Sequence, residues 1–258
     1  MFRPFHCLIV AFVALFASSA VTARPPASKY FDDEGVRALA EAGAKGDVRK
    51  ITKLVKEKGV NVNAVGKDGF TPLAYAMLSL SKTGFAALLE AGADPNAVIP
   101  GLPDGGASMV GLAAQATEVY WLKKLAEHGA NLNVRTTYWG QPPIVFAIEH
   151  HRIENIRFLL SKKVDLTIKD VSGYTPVFSA AVQDCWDGVL ILLEEGAEWD
   201  VTLPRTGRLV DRAQRYEENL SMDRTSFIWR DFIRVLAWLE QHGEKLPPEL
   251  AKELAKNK

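Results

Sequence analysis

The sequence has little cysteine and no excess of either charge, and each shortage excludes something. It has two cysteines in 258 residues. Cys7 lies in an N-terminal segment expected to be removed, which leaves Cys185 as the thiol of the mature chain. One cysteine closes no intrachain disulfide, so stability has to come from packing. Cys185 reads as a small buried apolar residue in preference to a reactive thiol. Lys+Arg and Asp+Glu both number 31, a formal net charge of zero. That argues against a general polyanion binder, and no nucleic-acid partner is expected.

The motifs of chemistry are missing too. The nearest approach to a nucleophile elbow, G-A-S-M-V-G from Gly106 to Gly111, has its second glycine one place late. There is no phosphate-cradling glycine loop, and neither C-x-x-C nor H-E-x-x-H occurs for zinc. His150 and His151 are adjacent, and neighbours on a helix diverge by about 100°, so they do not share a face for a metal. No catalytic residue, cofactor or metal is expected.

What is present begins with an address. Arg3 precedes an apolar run from Cys7 to Phe16, and small residues follow from Ala17 to Ala23, the three-part order of a secretory signal peptide. The run is too short for a confident membrane span of about 20 residues. Cleavage after Ala20 or after Ala23 fits, with Ala23 preferred; an uncleaved anchor is the alternative. A single basic residue and a compact core point to a bacterial export signal and a periplasmic product. Residues 24–33 then read as a linker.

Two phrases recur behind it. LLEAGADPN (Leu88 to Asn96) returns as LAEHGANLN (Leu125 to Asn133) and LLEEGAE (Leu192 to Glu198). An earlier copy is VKEKGVNVN (Val55 to Asn63). A degenerate one, LLSKKVD (Leu159 to Asp165), has Lys163 where the others have glycine. Gly59, Gly92, Gly129, Lys163 and Gly196 are therefore spaced by about 33, 37, 34 and 33 residues, a repeat period. In the copies that carry it, an apolar helix face ends and the glycine can take a left-handed conformation and stop the helix. The second phrase is DGFTPLA (Asp68 to Ala74), which returns as SGYTPVF (Ser172 to Phe178). Its glycine makes a turn, Thr71 or Thr175 caps the next helix, and the proline fits the first helical turn.

These two phrases in fixed phase resemble the ankyrin-repeat family, whose signature is T-P-L-H-x-A; the usual histidine is Ala74 in one copy and Phe178 in the other. The resemblance covers residues 34 to 200. It implies an all-α ankyrin-repeat solenoid of stacked helix-turn-helix units joined by hairpin-like turns. Five repeats are expected at 34–65, 66–98, 99–134, 135–168 and 169–200. A degenerate capping repeat at 201–246 and a charged tail at 247–258 follow.

The resemblance also implies where a partner sits, on the turn tips and first helices of successive repeats. Taken repeat by repeat, those positions are Lys67, Asp68 and Phe70, then Leu102 and Asp104. Next come Tyr138, Trp139 and Gln141 with Glu149 and His150, then Val171 and Tyr174 with Gln183, Asp184 and Trp186. Phe70, Tyr138, Trp139 and Tyr174 form a row of tip aromatics, and exposed aromatics are favoured interface anchors; the alternatives are that Phe70 and Tyr174 fold back onto the neighbouring hairpin and that Trp186 packs between helices. The expectation is a non-catalytic binding module, monomeric alone, whose partner is another protein. Similarity to exported repeat proteins suggests an immunity protein that occludes a secreted toxin such as a phospholipase effector. A periplasmic scaffold for stress enzymes such as catalase is the second reading, and an enzyme with repeats as its platform the third.

Overall fold

The computed structural model describes residues 25–100, 107–136, 139–203, 207–218 and 224–257. The chain divides into two compact units, one ending at Trp139 and the other starting at Gly140. The leader, with Cys7 and both cleavage points, lies outside the described residues.

The first unit is built from helix pairs: α1 (Glu34–Lys45) with α2 (Val48–Thr52, continued by a π-helical turn over Lys53–Glu57), α3 (Pro72–Leu78) with α4 (Lys82–Glu90), and α5 (Met109–Gln115) with α6 (Tyr120–Glu127). Between the last two pairs runs a two-residue hairpin, β1 (Val98–Ile99) antiparallel to β2 (Ala107–Ser108). Each leading helix starts at an N-cap in extended backbone; α1 runs for 12 residues, whereas α3 and α5 stop after two turns. Asp33 Oδ1 accepts from Val36 N, Thr71 Oγ1 from Ala74 N, and Ser108 Oγ from Gly111 N. Each satisfies a donor that the helix itself leaves free. α1 packs against both α3 and α4. Its approach to α4 is so close that a Cβ on Gly84 would lie 1.7 Å from the carbonyl oxygen of Gly43. Only glycine permits that contact.

The end of the first recurrent phrase has a structural reason. Asn63 accepts from Asp94 N at 2.7 Å and donates to the Gly92 carbonyl at 3.0 Å, while Asn96 accepts from Asn131 N at 2.7 Å. The asparagine that closes one copy thus ties down the backbone of the next, which explains why the phrase ends in a residue with both donor and acceptor.

The stretch expected to be a linker is folded into this unit. Ala27, Tyr30 and Phe31 are buried, Tyr30 stacks on Phe70 with ring centroids 4.2 Å apart, and the Tyr75 hydroxyl donates to Pro25 O. The first helix pair ends the array, so its outer face would be wet; the chain before it supplies aromatic cover.

The second unit continues the pairing: α7 (Pro143–Glu149) with α8 (Ile153–Ser161), α9 (Pro176–Val182) with α10 (Trp186–Glu194), then α11 (Leu209–Glu217) with α12 (Phe227–Gln241), and a last helix α13 (Pro248–Lys256). The leading helices α7, α9 and α11 lie side by side in that order. The core at the α11–α12 end is aromatic. Trp186, Tyr216 and Phe232 meet with centroids 4.8–4.9 Å apart, and Trp229 joins Phe232 at 5.1 Å. The expected charged tail is helix α13. It buries Leu250 and Leu254 against α11 and α12, and its buried Glu253 pairs with Arg224 at 3.0 Å and with Lys256. Thr175 holds the N-cap position of α9 but makes no side-chain capping bond, unlike Thr71.

The glycines that end the helices behave as the phrase requires. Gly59, Gly92, Gly129 and Gly196 have φ of 65°, 95°, 83° and 84°. Lys163, where glycine is lacking, takes φ 54° all the same.

Candidate functional site

Polar residues of the second unit gather at the C-terminal ends of its leading helices. Glu149 is the last residue of α7 and Gln183 the residue after α9. They stand 34 residues apart, one position out of phase at the ends of adjacent leading helices, His150 being the counterpart of Gln183. Gln183 Nε2 and Gln141 Nε2 both donate to Glu149 Oε1, each at 3.1 Å. A half-buried carboxylate is thereby fixed by two amides, one from its own repeat and one from the next. Next along the same edge, Asp184 pairs with Arg212 of α11. Burial raises the Asp184 carboxyl above its ordinary value, and the guanidinium only partly offsets this.

Of the residues expected to contact a partner, these converge: Gln141, Glu149, Gln183 and Asp184. Val171 stands on the turn before α9 with 61% of its surface exposed, and Tyr174 follows half-buried. His150 is half-buried, with Nδ1 3.0 Å from Phe146 O. In the first unit Lys67 and Asp68 are exposed, and Lys67 forms an ion pair with Asp32 at 2.7 Å. Trp139 is half-buried. Leu102, Asp104 and Tyr138 lie outside the described residues.

Two expectations fail. Phe70 is 2% exposed, because Tyr30 covers the face it would otherwise present. Trp186 is 1% exposed, because at the start of α10 it points into the aromatic core closed by α11 and α12. Neither offers a surface, so Phe70 drops out of the expected row of tip aromatics and Trp186 belongs to the core.

Sequence reasoning missed Arg212, which lay in a stretch set aside as a degenerate cap, and it missed a cluster around Cys185. Cys185 Sγ donates to Asp187 Oδ1 at 3.1 Å, and His151 Nδ1 lies 3.9 Å from the same oxygen. His151 holds Asp187 down to about 2, while burial and that carboxylate push the Cys185 thiol up. A thiol raised in this way is not a poised nucleophile. The available signal was spacing: His151 and Asp184 are separated by one repeat period and so fall side by side.

The helix pairs, the left-handed helix ends and the hairpin turns define an ankyrin-repeat fold. Residues 110–202 match the family model described as ankyrin repeats (3 copies), so the chain carries ankyrin repeats. Among curated proteins it is 35% identical to Protein PhlB of Serratia liquefaciens over 151 residues, 58% of this chain and 64% of that one. It is likewise 35% identical to ankyrin repeat and SOCS box protein 3 of Bos taurus and of Homo sapiens over 98 residues, 37% of this chain and 18% or 19% of theirs. The chain thus spans less than two thirds of each of these relatives. Among solved structures, the ankyrin repeat domain of Bcl-3, titled a unique member of the IkappaB protein family, superposes with TM-score 0.65 at 19% identity, covering 81% of this chain and 86% of that one. At that identity the likeness is one of fold.

Proposed function

We propose that this chain is a non-catalytic periplasmic binding protein whose ankyrin repeats hold and occlude a secreted antibacterial toxin, a phospholipase effector being the specific expectation. The observation that carries the binding reading is the Gln141–Glu149–Gln183 cluster, which joins adjacent repeats into one preformed polar surface. An interface that is already organised loses less entropy on binding than a mobile one. The periplasmic part rests on the three-part leader, and the toxin part on the resemblance to exported immunity proteins. A scaffold for stress enzymes such as catalase uses the same surface and differs in its consequence.

The test is titration of the purified full chain against a secreted phospholipase of the same cells, with lipid hydrolysis as readout. The expected result is stoichiometric inhibition by the wild type. Val171→Asp, on an exposed turn, should weaken it at least tenfold with melting temperature unchanged, while Glu149→Lys should weaken it as much and also lower the melting temperature through the two lost amide bonds. Association without inhibition would favour the scaffold, and absence of association would refute the toxin reading.

A further inference from the structure

The cluster outside that surface asks for a ligand of its own. His151, Cys185 and Asp187 each present one donor atom, and the three atoms lie within 4.8 Å of one another. Two elements place them: His151 stands in the turn between α7 and α8, while Cys185 at the N-cap and Asp187 in the first turn both belong to the start of α10. The 3.9 Å between His151 Nδ1 and Asp187 Oδ1 is too long for a hydrogen bond. Donor atoms around a tetrahedral zinc ion stand roughly 3.3–3.6 Å apart, given metal–ligand bonds of about 2.0–2.3 Å. The Cys185–Asp187 contact at 3.1 Å and the 3.9 Å gap lie on either side of that range, and the widest separation in the set, up to 4.8 Å, has to close by an inward swing of the exposed His151 ring. His151 takes positive φ, but so do Leu80 and Asp184 at matching turns, so the backbone there serves the fold.

We propose that His151, Cys185 and Asp187 form a binding site for a divalent ion of the zinc class, with the fourth position left to water. The donor set selects the metal. A thiolate disfavours magnesium and calcium, which take oxygen ligands, while thiolate, imidazole and carboxylate together suit zinc. Access runs through His151, whose side chain is 53% exposed, and Asp187, at 32%. Binding forms a metal–sulfur bond, breaks the S–H bond and releases one proton to solvent. The metal would clip the turn of one helix pair to the start of the second helix in the next.

The experiment adds Zn2+ or Co2+ to the full chain. Binding is followed by calorimetry and by the thiolate-to-cobalt absorption band. One ion per chain, with that band present, is expected. Cys185→Ser should abolish the band, and His151→Ala, at an exposed position that leaves folding intact, should weaken binding at least tenfold. Cys7→Ser and His150→Ala should leave both readouts unchanged. A band that survives Cys185→Ser, affinity unaltered in His151→Ala, or loss caused by Cys7→Ser would each overturn the assignment, as would no binding at micromolar metal.

Discussion

Replacing Lys163 by glycine should stabilise this protein, although the substitution deletes a side chain and adds nothing. Lys163 follows α8 with φ 54°, where Gly59, Gly92, Gly129 and Gly196 sit in the other copies. A residue with a Cβ is strained in that region by about 1–2 kcal/mol. Glycine removes the strain but adds about 0.4–1 kcal/mol of conformational entropy to the unfolded chain. The difference favours Lys163→Gly by about 0.5–1 kcal/mol. The exposed side chain has no ion pair to lose among the described residues, and its backbone N–H still reaches Leu160 O at 2.8 Å. For a chain of this size the gain corresponds to a melting temperature about 1–4 °C higher. Lys162 provides the control: at φ −92° it is unstrained. Lys162→Gly should therefore cost about 0.5–1 kcal/mol. Gly92→Ala tests the converse, since nothing lies within 4 Å of the added Cβ and any loss is conformational. Urea denaturation of the three variants is the assay. If Lys163→Gly is neutral or destabilising while Lys162→Gly behaves alike, helix-end strain is not what the repeat glycines relieve.

The contact between α1 and α4 makes Gly84→Ala the converse extreme, a loss of about 3 kcal/mol or more by thermal melting, because backbone has to move to admit the methyl. Asn96→Ala should cost about 1 kcal/mol in urea unfolding through the lost acceptor for Asn131 N. Burial raises the Tyr216 hydroxyl from 10.0 to about 12. The folded state therefore favours the neutral phenol, and the stability this supplies is complete below pH 10 and lost as pH rises toward 12. Melting curves across that range should show the alkaline loss in the wild type and a shallower one in Tyr216→Phe.

The array was legible because its signals are local. Each helix end writes its own glycine, and the fold's demand for a left-handed residue is strong enough that Lys163 obeys it without one. Capping was less transferable: Thr71 and Thr175 stand in matching phrases, yet only Thr71 accepts from its helix. The ends of the array were misread for one reason. Residues 24–33 and 247–258 lack the repeat phrase, but both carry apolar side chains that cover an exposed flank, Tyr30 and Phe31 at one end and Leu250 and Leu254 at the other. Phrase matching sees what repeats, and capping segments are defined by not repeating.

The candidate site was legible only in the part that follows the repeat period. Glu149 and Gln183, His151 and Asp184, and Asn63 and Asn96 are pairs about one period apart, and in a stacked array such pairs become neighbours. Listing the residues one repeat further on therefore amounts to listing the cross-repeat contacts. Reading tips one repeat at a time conceals this, and the aromatics show the cost. Phe70 and Trp186 were assigned to the surface from their place within a repeat, whereas Tyr30 and Tyr216, which bury them, come from other parts of the chain. Exposure in a solenoid is thus a property of neighbouring repeats, while helix start and stop are properties of one. The same distinction explains why the Cys185 cluster escaped notice: its cysteine and aspartate are two residues apart, but the histidine belongs to the repeat before.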